Sequence, residues 1–102
     1  MSDRIDQLRV QIDAINSELL TILNKRAEVV LEIGKAKQEK GMEVFDPERE
    51  ERILSSLCSM NRGLLTDEMI RVIFKQIFDE CSNLQRAQMN EAMDSAEMTK
   101  SR

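Results

Sequence analysis

Histidine, tryptophan and tyrosine are absent from this 102-residue sequence. Without histidine, imidazole acid–base catalysis and His-ligated metal sites are excluded. Three phenylalanines, one proline and three glycines leave few turn-forming residues, which argues against a chain built of many short strands. The two cysteines, Cys58 and Cys81, have no metal-ligand spacing and point to no disulfide framework. Their expected state is a reduced thiol, which implies a cytoplasmic location. No apolar signal region opens the sequence, and no run approaches the ~20 apolar residues of a membrane span. A net charge of −4 argues against a general nucleic-acid binder. Against that acidic background, any local cluster of Arg and Lys is informative.

What remains is rich in Leu, Glu, Lys, Arg, Met and Gln, all good helix formers. The expected class is one all-α domain of two or three long helices. A monomer of this size buries a modest core, so self-association would stabilise it. The first helix is predicted to start after Ser2 as N-cap. A heptad then runs through Ile5, Ile12, Leu19, Arg26 and Ile33, with a second line at Leu8, Ile15, Ile22, Val29 and Ala36. Only Arg26 interrupts the apolar pattern, which continues to a glycine cap at Gly41. That is about 37 residues and ~55 Å of helix, too long to bury its stripe against a compact partner from its own chain. Asp46-Pro47-Glu48 predicts the start of a second helix, with Asp as N-cap and Pro in the first turn. It runs to about Met60, with an apolar face of Ile53, Leu54, Leu57, Cys58 and Met60. Thr66-Asp67-Glu68 opens a third helix with an apolar face of Ile70, Ile73, Phe74, Ile77, Cys81 and Leu84, and Phe78 beside it. This helix is expected to fade near Gln88. The domain is set at residues 1–89, and 90–102 is read as a polar tail or linker.

Cations stand where the helical pattern asks for apolar residues. Arg26 and Lys37 are eleven residues apart, which places them about 20° apart around the helix and ~16 Å along it. Both side chains can converge on one small anion, with Gly34 between them. Arg9 lies near the same line but ~25 Å before Arg26. One small ligand therefore meets Arg9 and Lys37 together only if Arg9 comes from a second, antiparallel copy. Arg49 begins on the inner face of the second helix, next to Asp46 and Glu50. Gln85, one turn beyond Cys81, is a neutral donor near the end of the third helix. Each has a plainer reading: Arg26 as a register-setting residue, Lys37 as a solvated lysine, and Arg49 as half of an ion pair. Gln85 and Gly34 read as structural, and Cys81 as a small core residue. The functional reading gains because the exceptions fall at compatible places on three helices.

Several runs together resemble the all-helical chorismate mutase family. They are Leu8-Arg9, Ile12-Asp13-Ala14-Ile15, Leu19-Leu20, Lys25-Arg26, Glu32-Ile33-Gly34-Lys35-Ala36-Lys37 and Asp46-Pro47-Glu48-Arg49-Glu50. The third helix adds Ile73-Phe74-Lys75-Gln76-Ile77-Phe78, Cys81 and Leu84-Gln85. The resemblance covers about residues 3 to 88 and implies an intertwined homodimer of three-helix chains, each site using residues of both. By that resemblance, Arg26 and the second copy's Arg9 hold substrate carboxylate, and Lys37 and Gln85 donate to the ether oxygen of the breaking bond. Asp46 and Glu50 meet the ring hydroxyl, and Arg49 supports the charge network. The family often has a small polar residue such as Ser where this chain has Cys81, a weaker donor. The implied substrate is the chorismate dianion, rearranged to prephenate for phenylalanine and tyrosine synthesis, with no metal or cofactor. Similar domains occur fused to other aromatic-pathway enzymes. Two alternatives stay open: an isochorismate-pyruvate lyase on the same scaffold, and a non-catalytic dimeric helical regulatory module.

Overall fold

The structure, a computed structural model, describes residues 3–100, with side chains through Glu91. The expected cap Ser2 lies outside the described residues. Three helices follow in order: α1 Asp3–Glu39, α2 Pro47–Met60 and α3 Asp67–Lys100. The all-α class and the long first helix, 37 residues, agree with the sequence.

Each boundary has a local cause. At the end of α1, Gly41 takes a left-handed φ of 68°. Its N–H donates to the Gln38 carbonyl at 3.1 Å, and the Met42 N–H to the Lys37 carbonyl at 2.8 Å. These two bonds form a Schellman motif, which satisfies carbonyls that the helix end would orphan and turns the chain sharply. Asp46 caps α2 by accepting from the Arg49 N–H at 3.0 Å, with Pro47 in the first turn. Thr66 caps α3, its Oγ1 accepting from the Met69 N–H at 3.2 Å.

The third helix does not fade near Gln88 but continues to Lys100. The stretch beyond Gln88 is rich in Ala, Met and Glu, whose helix propensity carries the helix on.

α3 packs against both α1 and α2. Leu54, Ile70, Phe78 and Cys81 are the buried apolar residues among those described. This shifts the expected faces. Phe78, read as flanking, is only 4% exposed, whereas Met60, Ile73 and Leu84 are open to solvent. With neighbours on two sides, α3 turns Phe78 toward the centre instead of presenting one narrow stripe. Across the outside, Arg71 on α3 pairs with Glu51 on α2 at 3.1 Å.

The first half of α1 has no cover: every residue from Asp3 to Ile22 is exposed, including Ile5, Leu8, Ile12, Ile15, Leu19 and Ile22. The radius of gyration is 18.8 Å, against ~13 Å for a compact domain of this length. The chain is a rod of 68 × 31 × 16 Å. The packing of α3 covers only the second half of α1.

Candidate active site

A cavity of about 480 Å³ lies where the second half of α1, the α1–α2 connection, the first turns of α2 and the middle of α3 meet. That volume suits a small organic molecule. Arg26, Lys37, Asp46, Arg49, Glu50, Cys81 and Gln85 all line it. These are seven of the eight residues singled out in the sequence. Arg9 does not. It is exposed on the first half of α1, 3.9 Å from Asp6 of its own helix, as a straight helix requires.

The charges in this cavity are unusually free. Among the described residues the ion pairs are Arg9–Asp6 and Arg71–Glu51, and neither lies in the cavity. Arg49 was open to a reading as half of an ion pair with Asp46 or Glu50. Its contact with Asp46 is instead the backbone cap, and its guanidinium has no carboxylate partner among the described residues. Arg26, Lys37 and Arg49 thus bring three cations to a space with two carboxylates, Asp46 and Glu50, and none of the three is neutralised by direct contact with a described residue.

Arg26 is held from α3. Its guanidinium carbon sits 5.3 Å from the centre of the Phe78 ring, a cation–π geometry. Its Nη1 donates to the Cys81 sulfur at 3.4 Å. Cys81 is therefore both a buried core residue and a weak acceptor for Arg26. Gln85, one turn on, donates from Nε2 to the Val30 carbonyl of α1 at 3.0 Å. Lys37 is half-buried in the last turn of α1. The Schellman turn swings Val44, Phe45 and Asp46 back over the cavity wall, which lets the start of α2 face the end of α1.

The sequence reading missed three contributors. Phe78 is the platform for Arg26, and Ser82 also lines the cavity. Positions 78, 81, 82 and 85 form one helical face, a spacing that was available. The Val30 carbonyl is backbone, and no side-chain pattern could have flagged it.

Chemically, this is an all-helical pocket suited to a small anion, with three cations, one neutral amide donor and apolar walls. The chain belongs to the chorismate mutase type II family, whose match spans residues 8–86. It is 37% identical over 90 residues to the bifunctional chorismate mutase/prephenate dehydratase of Neisseria gonorrhoeae, a match covering 84% of this chain and 24% of that protein. The chain thus spans about a quarter of the length of the curated relatives it first matches. Among solved structures, it superposes on the chorismate mutase (form II) of Thermus thermophilus with a TM-score of 0.81 and 41% identity, covering 83% of this chain and 97% of that one. It superposes on the Helicobacter pylori chorismate mutase in complex with prephenate with a TM-score of 0.82 and 30% identity, covering 87% and 97%.

Proposed function

We propose that this chain catalyses the rearrangement of chorismate to prephenate in aromatic amino-acid synthesis. The observation that carries the reading is the set of three cations, Arg26, Lys37 and Arg49, lining one cavity without ion-pair partners among the described residues. A dianionic substrate would supply the missing charge. The family membership and the likeness to a mutase bound to prephenate support it.

The reaction is an intramolecular [3,3] shift and needs no nucleophile or proton shuttle, which accords with a sequence that lacks histidine. Catalysis then rests on holding the substrate in its compact reactive shape and on stabilising charge that grows on the ether oxygen. Arg26 grips a carboxylate from its Phe78 platform, its planar fork suited to two parallel bonds. Lys37 and the Gln85 amide donate to the ether oxygen as the C–O bond breaks, so they favour the transition state over the ground state. Glu50 and the backbone of Asp46 take the ring hydroxyl, and Arg49 balances the charge between them. Cys81 contributes through Arg26, and its own contact with substrate is the weakest of the set.

The second carboxylate needs a further cation. We propose that it is Arg9 of a second copy, in an intertwined homodimer. The support is the uncovered apolar line from Ile5 to Ile22, which carries Arg9 on the same half-helix. Burying that line would remove it from water and bring Arg9 to the other chain's cavity.

The test is loss of chorismate absorbance with formation of prephenate, on the purified chain, with isochorismate as a parallel substrate. Turnover of chorismate is expected. No turnover of chorismate, or release of pyruvate from isochorismate as the faster reaction, would overturn the proposal.

A further inference from the structure

Gly34 is the one buried residue of α1. The atoms nearest to the place of its missing side chain all belong to Gln85. A Cβ built on Gly34 would lie 3.3 Å from Gln85 Nε2, 3.5 Å from its Cγ and 3.7 Å from its Cδ. Side chains on a helix lean toward its N-terminus, so that Cβ would sit over the turn that begins at Val30. Val30 is four residues before Gly34, and its carbonyl also receives the Gln85 Nε2–H at 3.0 Å. A carbonyl oxygen has two lone pairs. The helix uses one for the Gly34 N–H, and the bare Gly34 leaves the other open to an incoming side chain.

We infer that Gly34 is a positioning residue: its lack of a side chain lets the Val30 carbonyl anchor the Gln85 amide with its NH₂ end toward α1, leaving the second N–H to donate in the cavity. An amide can present either its oxygen or its nitrogen to a ligand. In a site where an ether oxygen gains negative charge, the wrong end would repel it. The Val30 carbonyl accepts and cannot donate, so it selects the nitrogen end before any ligand arrives. Preorganised donors of this kind need no reorientation as the reaction proceeds. A methyl group at position 34 must push Gln85 by a few tenths of an ångström, against a contact tighter than ordinary packing. That shift lengthens the 3.0 Å bond to the Val30 carbonyl and loosens the hold on the amide's sense. Helix propensity alone favours alanine here, so the glycine sacrifices local helix stability for the donor.

The inference rests on the proposed mutase reading, and the test separates the two. Three variants are compared with the unaltered protein: Gly34→Ala, Gln85→Ala and the double variant. Gly34→Ala is expected to lower kcat about tenfold or more, approaching the loss of a preorganised donor. KM should move less, because the carboxylate-holding cations are untouched. In the Gln85→Ala background, adding Gly34→Ala should leave kcat unchanged, since there is no amide left to displace. Side-chain amide resonances give a readout apart from activity. The Gln85 pair, identified by its loss in Gln85→Ala, should show one exchange-protected proton that Gly34→Ala exposes. Wild-type kcat in Gly34→Ala, an amide pair that does not move, or a further loss in the double variant each overturns the inference. If Gly34→Ala alone fails to fold, removing the Gln85 side chain should restore the fold. A double variant as unstable as the single one refutes the crowding at the root of the idea. If the unaltered protein does not convert chorismate, the mutase reading falls, and the amide resonances still decide whether Gly34 and Val30 anchor Gln85.

Discussion

Replacing Arg26 with alanine separates a catalytic helix from a merely structural one. Among the described residues the Arg26 guanidinium makes one cation–π contact, with the Phe78 ring at 5.3 Å, and one hydrogen bond, to the Cys81 sulfur at 3.4 Å. A cation–π contact at a partly exposed site contributes about 0.5–1 kcal/mol, and a bond to neutral sulfur adds less than an ordinary hydrogen bond. The stability lost is therefore ~1 kcal/mol, a fall in Tm of about 4–8 °C for a domain of this size. The loss in activity should be far larger. Hydrogen bonds to a charged group are worth about 1.5–3 kcal/mol each. An arginine fork makes two of them to a carboxylate, so its removal should cost about 3–6 kcal/mol, or 10²–10⁴ in kcat/KM. Arg26→Lys keeps the charge but not the fork and should fall between the two. The assays are thermal unfolding, oligomeric state and chorismate turnover on the same preparations. A kcat/KM within tenfold of wild type in Arg26→Ala, with assembly unchanged, would refute a substrate-holding role. A Tm loss well beyond the expected range would recast Arg26 as a structural residue.

Lys37→Ala should lower kcat about 10²–10³-fold, as expected for losing a donor to developing charge; stopped-time prephenate assays that find near-wild-type kcat would remove Lys37 from the mechanism. Because Gln85 donates as a neutral amide, kcat should stay substantial above neutral pH, and a tenfold fall per pH unit between about pH 5 and 8 would count against it. In the proposed homodimer, mixing inactive Arg9→Ala chains with inactive Lys37→Ala chains should recover about a quarter of wild-type activity, because half the dimers would be hybrids with one of two sites intact. Recovery of nothing after subunit exchange would mean that Arg9 is not shared across chains. The Arg71 guanidinium, by hydrogen bond and then by charge, holds the Glu51 carboxyl below its ordinary value. The lowered value means that this pair's stabilisation is present above the usual carboxylate range and is lost as pH falls through the lowered value. Glu51→Gln should therefore flatten the acid limb of Tm against pH slightly, since the pair is exposed; an identical limb would show that the pair contributes nothing.

Much of this architecture was legible along the chain because its signals are local. Capping is a contact between residues three or four apart, so Asp46, Thr66 and Gly41 marked the helix ends directly. The heptad of α1 foretold both its length and its exposed line. Where local signals competed, the reading slipped. The polar stretch past Gln88 reads as a tail, though the helix continues to Lys100. Phe78 was set beside the apolar face because a sequence does not say that one helix will have neighbours on two sides. For the site, residue type and helical phase picked out Arg26, Lys37, Arg49 and Gln85 before any coordinates.

The sequence by itself determined three helices, a line of apolar residues too long for one chain to cover, and cations at compatible places on the first two helices. These follow from the 3.6-residue period and from capping chemistry, which act within a few residues. Only the tertiary structure decided what those cations face. It placed Phe78 under Arg26, brought Arg49 to the cavity wall without pairing it to Asp46 or Glu50, and put the Gln85 amide on the Val30 carbonyl through the gap at Gly34. The contacts of Phe78 and Gln85 join residues far apart in the chain. Their geometry depends on how α3 sits against α1, a packing outcome that no periodicity encodes.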